Sequence, residues 1–449
     1  MVAAALDETD PFLKAFLDSG MSPPSVPGAT TAEEELIPFL RAAAEIEHAL
    51  MVQYLYAYFT SATNEQDRTR VFLRVAIQEM GHLFTVQNLL RAFDQEVHLI
   101  LPDPTMPGVD NTFPFPLLLQ RASIESLAQY VTAESPLADT LPEPLKTTAK
   151  NAIADAAIEV RHVGLLFLKI YWLVQPSEVP FGPWQPPLAT GWKDVLGERH
   201  LPSALNLKLD QQRSWRASWD VAMDDPAFLE NSASKTLFVG QIKAGAVPLN
   251  EQVCRTLFSI GTQGEGWVTD DAHTSHFELF ANLYESWKPP GNLPATIVNA
   301  VMNPWVGAPS ADPLLEAHRI TYPEAEAIGK AFNLRYERIL LLIALTFTEK
   351  AASLSATLRM QAVGGEMSGN ISLLATELLV RPLKEGGSAE SLRAGPPFQA
   401  PAAIPTTFEN IRIRLASLKM ETEQIALPGA IAIDTTPDSE LLTALDQLP

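Results

Sequence analysis

The sequence predicts a mainly α-helical protein: a four-helix bundle with additional C-terminal helices and long irregular loops. Three observations carry this. Apolar residues recur at helical spacing through most of 31–175, and again through "AEAIGKAFNLRYERILLLIALTFTEKAASL" in the region 323–360. Proline clusters punctuate these stretches instead of the evenly spaced turn signals of an all-β chain. Two segments, "IQEMGHLF" and "AAIEVRHVGLL", place a glutamate three residues before a histidine inside an apolar run.

Taken in order, residues 1–30 form an irregular lead-in, Pro/Ser/Gly-rich at "SGMSPPSVPGAT". "TTAEEELIPFL" then offers Thr with Glu three positions on, a capping box that starts the first helix and carries it to about Ala62. A second helix runs from roughly Asp67 to Phe93, and Pro102, Pro104 and Pro107 stop anything beyond it. "SIESLAQYVTAESP" reads as a third helix ending before Pro136, and 144–174 as one long fourth helix. The helices within 31–175 make the core. Residues 176–260 read as a loop-rich insertion, with "SKTLFVG" a candidate strand and "EQVCRTLFSIG" a helix. Residues 261–385 supply additional helices, including 271–287 and 366–382. Residues 386–449 form a Pro-rich C-terminal segment with "PGAIAIDTT" a candidate strand.

Composition bounds the function. The chain has 449 residues, 47% of them hydrophobic, so a large core is within reach. A net charge of -21 argues against nucleic acid or an anionic membrane as partner, because both repel it. No apolar run approaches the ~18 residues of a membrane span; even "VGLLFLKIYWLV" is broken by Lys169. The acids in "MVAAALDETDPFLKAF" do not suit a signal peptide, and the single cysteine, Cys254, excludes an intramolecular disulfide. A cytoplasmic location is the expectation. Aromatic residues in the proline-rich loops suggest a homodimer.

On a helix, residues three apart share a face one turn apart, so Glu79/His82 and Glu159/His162 can each aim an oxygen and a nitrogen at one point. Buried carboxylates need compensation. Two Glu-x-x-His helices plus a single Glu from each of two others is the donor set of the dimetal centre in ferritin-like bundles. The first helix has Glu45 and Glu47, which cannot both point inward; Glu47 shares the apolar face with Leu50, Tyr54 and Leu55 and is the choice. The third helix supplies Glu134, with Glu125 its only rival. The predicted ligands are therefore Glu47, Glu79, His82, Glu134, Glu159 and His162. Four carboxylates would neutralise two divalent cations, and this donor set suits iron or manganese, iron preferred. Tyr54, on the face of Glu47, is either a hydrogen-bond donor to the ligands or core.

"EIEHALMVQYLYA" followed by "QEMGHLFTVQNLLRAF" resembles the ferritin-like domain of the iminophenyl-pyruvate dimer synthase family, the imine-coupling enzymes of violacein and rebeccamycin pathways. The likeness continues through "IGTQGEGW", "SHFELF", "AFNLRYERILLLI" and "AGPPF", spanning about residues 35–400. It implies that Glu265 and His276 belong to the active site. In that family the fourth helix offers a Glu without a His three later, so the histidine of "SHF" would complete the metal sphere. This chain has both His162 and His276, which leaves open which one is the ligand. The family's better-known enzymes are much longer, so fold transfers more safely than substrate.

The expected function is a non-haem dimetal-carboxylate oxidoreductase using O₂ or peroxide on a small organic substrate, possibly an amino-acid-derived imine. Tyr54, Glu265 and His276 are its candidate catalytic residues, Tyr54 or Tyr56 could donate a proton or hydrogen bond, and Leu50, Phe84 and Leu166 would keep water out. The alternatives are peroxide removal at a dimanganese site, as in manganese catalase, and a catalytically silent metal-binding bundle.

Overall fold

A computed structural model describes residues 23–61, 70–101, 118–136, 141–160, 162–175, 190–202, 207–213, 252–254, 256–257, 260–261, 264, 274–292, 297–387, 391–429 and 431–449. These residues are mainly helical. Among them β-structure is limited to isolated bridges such as Trp305 with Arg319. No described helix is long and apolar enough to cross a membrane.

The first helix, α1 (Ala32–Thr60), begins at a capping box: the Thr31 side chain accepts from the Glu34 N–H, and the Glu34 carboxylate accepts from the Thr31 N–H. It is buried around much of its circumference, as a central bundle helix must be. It packs along α2 (Arg70–Ala92) and also meets α5 (Gly164–Val174). The helices α3 (Ile124–Glu134) and α4 (Leu145–Asp155) pack on each other, and α6 (His276–Trp287) lies against both and against α2. Capping boxes open α3 at Ser123 and α6 at Ser275.

The long fourth helix expected over 144–174 is two helices. Residues 156–160 and 162–163 leave the helical path, with Ala157 in the left-handed region at φ 59°. Here the Val163 N–H donates to Ala133 O on α3 rather than to a carbonyl one turn back. The chain has exchanged an intrahelical bond for a tertiary one.

The second half is organised by α7 (Pro323–Thr346), whose Pro323 occupies the first turn, where its missing N–H costs nothing. Against it pack α8 (Ser355–Met360), a π-helix (Gln361–Ile371) and α9 (Ser372–Leu379). The proline-rich segment after 386 ends in two further helices, α10 (Phe408–Gln424) and α11 (Thr436–Asp446). Ile411, Leu415, Leu418 and Thr422 form the buried stripe of α10. The strand expected at "PGAIAIDTT" is absent among its described residues, and Thr436 opens a helix in its place. The candidate strand "SKTLFVG" lies outside the described residues. One hydrophobic core unites residues from Ala32 to Leu445.

Candidate metal centre

Three helices bring their carboxylates inward. Glu47 is in the middle of α1, Glu79 in the middle of α2 and Glu134 is the last residue of α3; each is buried, Glu79 with 1% of its surface exposed. Glu45, the rejected alternative, sits nearer the rim and pairs with His98 at 2.6 Å. His82 stands one turn beyond Glu79. His276 is the first residue of α6, held there by the capping box between Ser275 and Glu278, and is fully buried.

These five side chains form a row. Glu47 Oε2 lies 3.5 Å from His82 Nδ1, and His82 Nδ1 is 2.9 Å from Glu79 Oε2. Glu79 Oε1 is 2.8 Å from His276 Nδ1, which is 3.7 Å from Glu134 Oε2. Glu79 is thus the midpoint, with one imidazole at each oxygen. The two rings are inclined by 29°, centroids 5.3 Å apart. One donor atom from each of Glu79, His82 and His276 lies within 4.8 Å of the others. At the far end the Tyr54 hydroxyl donates to Glu134 Oε1 at 2.5 Å.

The row is under-satisfied. Among the described residues, Glu47 Oε2, Glu79 Oε1 and both ring nitrogens of His276 form no hydrogen bond. The 2.8 Å approach of Glu79 to His276 satisfies a distance but not a hydrogen-bond angle. Each buried polar atom left this way costs about 1–3 kcal/mol. A divalent cation coordinated by these atoms would absorb that cost, so the residues present fit a metal.

Electrostatics point the same way. Burial, then the neighbouring charge of Glu79, pushes Glu47 well above the usual carboxylate range, and the same two causes raise Glu134. Burial also opposes ionisation of Glu79, but His276 and His82 outweigh it and hold Glu79 well below that range. For both histidines burial disfavours the charged form, and the adjacent carboxylates more than reverse this. Burial and the Glu134 charge push the Tyr54 phenol up, so it remains a donor.

The other predicted residues stand elsewhere. Glu159 is exposed in the segment between α4 and α5, because the helix that would have turned it inward is broken there. His162 points its Nδ1 at Ser135 O, 2.8 Å away, and stands outside the close group of donors. Tyr56 donates to Val301 O, away from the row. Glu265 lies outside the described residues; its neighbour Gly264 does not, and a Cβ there would stand 3.4 Å from Glu134 Oε2. His276 is invisible to the i, i+3 argument. Its sequence signal is the capping box "SHFE" ahead of an apolar run, which fixes where α6 starts.

No curated protein and no solved structure matches this chain. A family model does: residues 40–179, which contain Glu47, Glu79, His82 and Glu134, match the family described as Ferritin-like. Residues 40–179, which carry four of the five side chains of the row, are therefore similar to a ferritin-like bundle, and the Glu/His cluster fits a dimetal-carboxylate protein.

Proposed function

We propose that the protein is a non-haem dimetal-carboxylate oxidoreductase that uses O₂ or peroxide on a small organic substrate. The observation that carries this is the row Glu47–His82–Glu79–His276–Glu134 with its unsatisfied inward-facing atoms. Glu47, His82, Glu79, His276 and Glu134 would together hold two cations. Two iron or manganese ions there would supply Lewis acidity and paired electrons for reducing the oxidant.

The chain's own groups do the rest. Tyr54 fixes Glu134 through its hydroxyl and keeps a proton at Glu134 Oε1. Leu50, Phe84 and Leu166, all buried on α1, α2 and α5, keep bulk water from the bundle interior. His276 enters from a helix outside the family-matched segment, so part of the centre comes from the additional helices.

Elemental analysis and O₂ uptake test this together. The expected result is two iron or manganese ions per chain and reductant-dependent oxygen consumption, both lost in Glu79→Ala. Metal without any redox response would mark a silent binding protein. Oxygen evolved from peroxide after manganese loading alone would mark a catalase. Absence of metal would overturn the centre itself.

A further inference from the structure

We propose that His162 is a positioning residue for Glu134, acting by capping the C-terminal end of α3. The inference rests on the reading of Glu134 as a metal ligand. A helix ends with carbonyls that have no partner further along the chain, and these need outside donors. Glu134 is the terminal residue of α3, so its side chain is only as well placed as that frayable end.

Three contacts close the end. The Val163 N–H donates to Ala133 O at 3.1 Å. His162 Nδ1 lies 2.8 Å from Ser135 O and 3.2 Å from Ser135 Oγ. The Ser135 hydroxyl in turn donates to Thr132 O at 3.1 Å. A carbonyl only accepts, so the proton sits on Nδ1; desolvation of the half-buried imidazole lowers its pKa and favours the neutral form. The residues on both sides of Glu134 are thereby clamped by two consecutive residues of the α4–α5 segment.

This explains why a second Glu-x-x-His pair exists without forming a second helical ligand pair. The departure from helix at Ala157 carries Glu159 outward and delivers His162 to the end of α3. The same histidine that spacing alone would make a ligand becomes a strut behind one.

The test compares His162→Asn with His162→Ala in the full chain loaded with Co²⁺ as a spectroscopic probe. The Asn amide N–H can replace Nδ1–H, but Asn has no donor where Nε2 lies. Wild type is titrated first, and failure to bind Co²⁺ would overturn the underlying centre rather than the strut alone. Given binding, His162→Ala should weaken Co²⁺ affinity about 10–100-fold, the usual effect of losing a supporting partner. His162→Asn should restore it to within a few-fold, with the visible spectrum of wild type. An Asn variant as weak as Ala, with a spectrum showing a lost imidazole, would make His162 a ligand and overturn the proposal. Unchanged affinity in His162→Ala would overturn it too. Should the Ala variant not fold, ¹⁵N imidazole shifts of the metal-free wild type decide: Nδ1–H supports the strut and Nε2–H refutes it.

Discussion

This protein has two buried polar clusters, one in the bundle and one beneath the C-terminal helices, and they differ in how they end. In the second half, Arg335 and Arg338 of α7 meet Glu366 of the π-helix and Asp438 of α11. Two positive and two negative groups neutralise each other. Arg335 forks onto both acids, with Nε 2.9 Å from Glu366 Oε2 and Nη1 2.6 Å from Asp438 Oδ2, and Arg338 donates also to Gln361 at 2.7 Å. Among the described residues the bundle row has three carboxylates against two imidazoles and leaves Glu47 Oε2 and Glu79 Oε1 without a hydrogen bond. A charge-balanced network, in which even Arg338 Nε without a hydrogen bond sits in ion-pair contact with Asp438, binds the fold's parts to one another, whereas one with surplus carboxylate is equipped for a cation. The π-helix fits this contrast: it presents Glu366 to both guanidinium groups of α7.

Breaking the closed cluster should give the largest effect. Glu366→Ala leaves two guanidinium groups without their shared acceptor and should cost about 3–5 kcal/mol in unfolding free energy, measured by denaturant titration. Its metal content should be unchanged; a loss of metal would mean the clusters are not independent. Metal comes next. Iron or manganese at about a hundred times its Kd should stabilise wild type by about 3 kcal/mol, read as a rise in Tm. Glu47→Gln should abolish most of that gain while leaving the metal-free protein as stable as wild type, because it removes a charge that burial and Glu79 already disfavour. A Glu47→Gln variant that unfolds without metal would show that the row is structural, like its counterpart.

The pH dependence probes the joint between the two regions. His48, next to Glu47, meets the Tyr336 hydroxyl and Ile100 O, and burial holds it down to about 4. Its folded value lies below its unfolded one, so between about 6.5 and 4 the unfolded chain binds more protons. Stability should therefore fall with acidification through that window, by about 1 kcal/mol between roughly pH 7.5 and 5.5. His48→Gln should flatten this slope in a series of denaturant titrations. The smallest effect belongs to Tyr54→Phe, which removes one hydrogen bond to Glu134 and should cost about 1 kcal/mol without metal. A cost of several kcal/mol would place Tyr54 in the supporting framework instead.

The difference between the two Glu-x-x-His pairs shows how far the sequence could be read. Glu79 and His82 share a face because one uninterrupted helix carries both, and that needs only local periodicity. Glu159 and His162 show the same spacing in an equally apolar setting, yet their helix is broken. The segment contains no proline. Its backbone N–H and imidazole found better partners on α3 than a continued helix offered. In the second half Arg335 and Arg338 repeat the i, i+3 spacing, but their acidic partners lie 28 to 103 residues away and carry no local mark.

By itself the sequence determined the helical class, the inward choice of Glu47 over Glu45, and the pairing of Glu79 with His82. Each depends on periodicity within a single helix, where neighbours in space are neighbours in the chain. Only the tertiary structure decided that His276 stands opposite Glu79, that Glu159 faces outward and that His162 braces α3. Those outcomes turn on competition between local backbone bonds and contacts across long loops, and the winner is set by packing among segments that no short window contains.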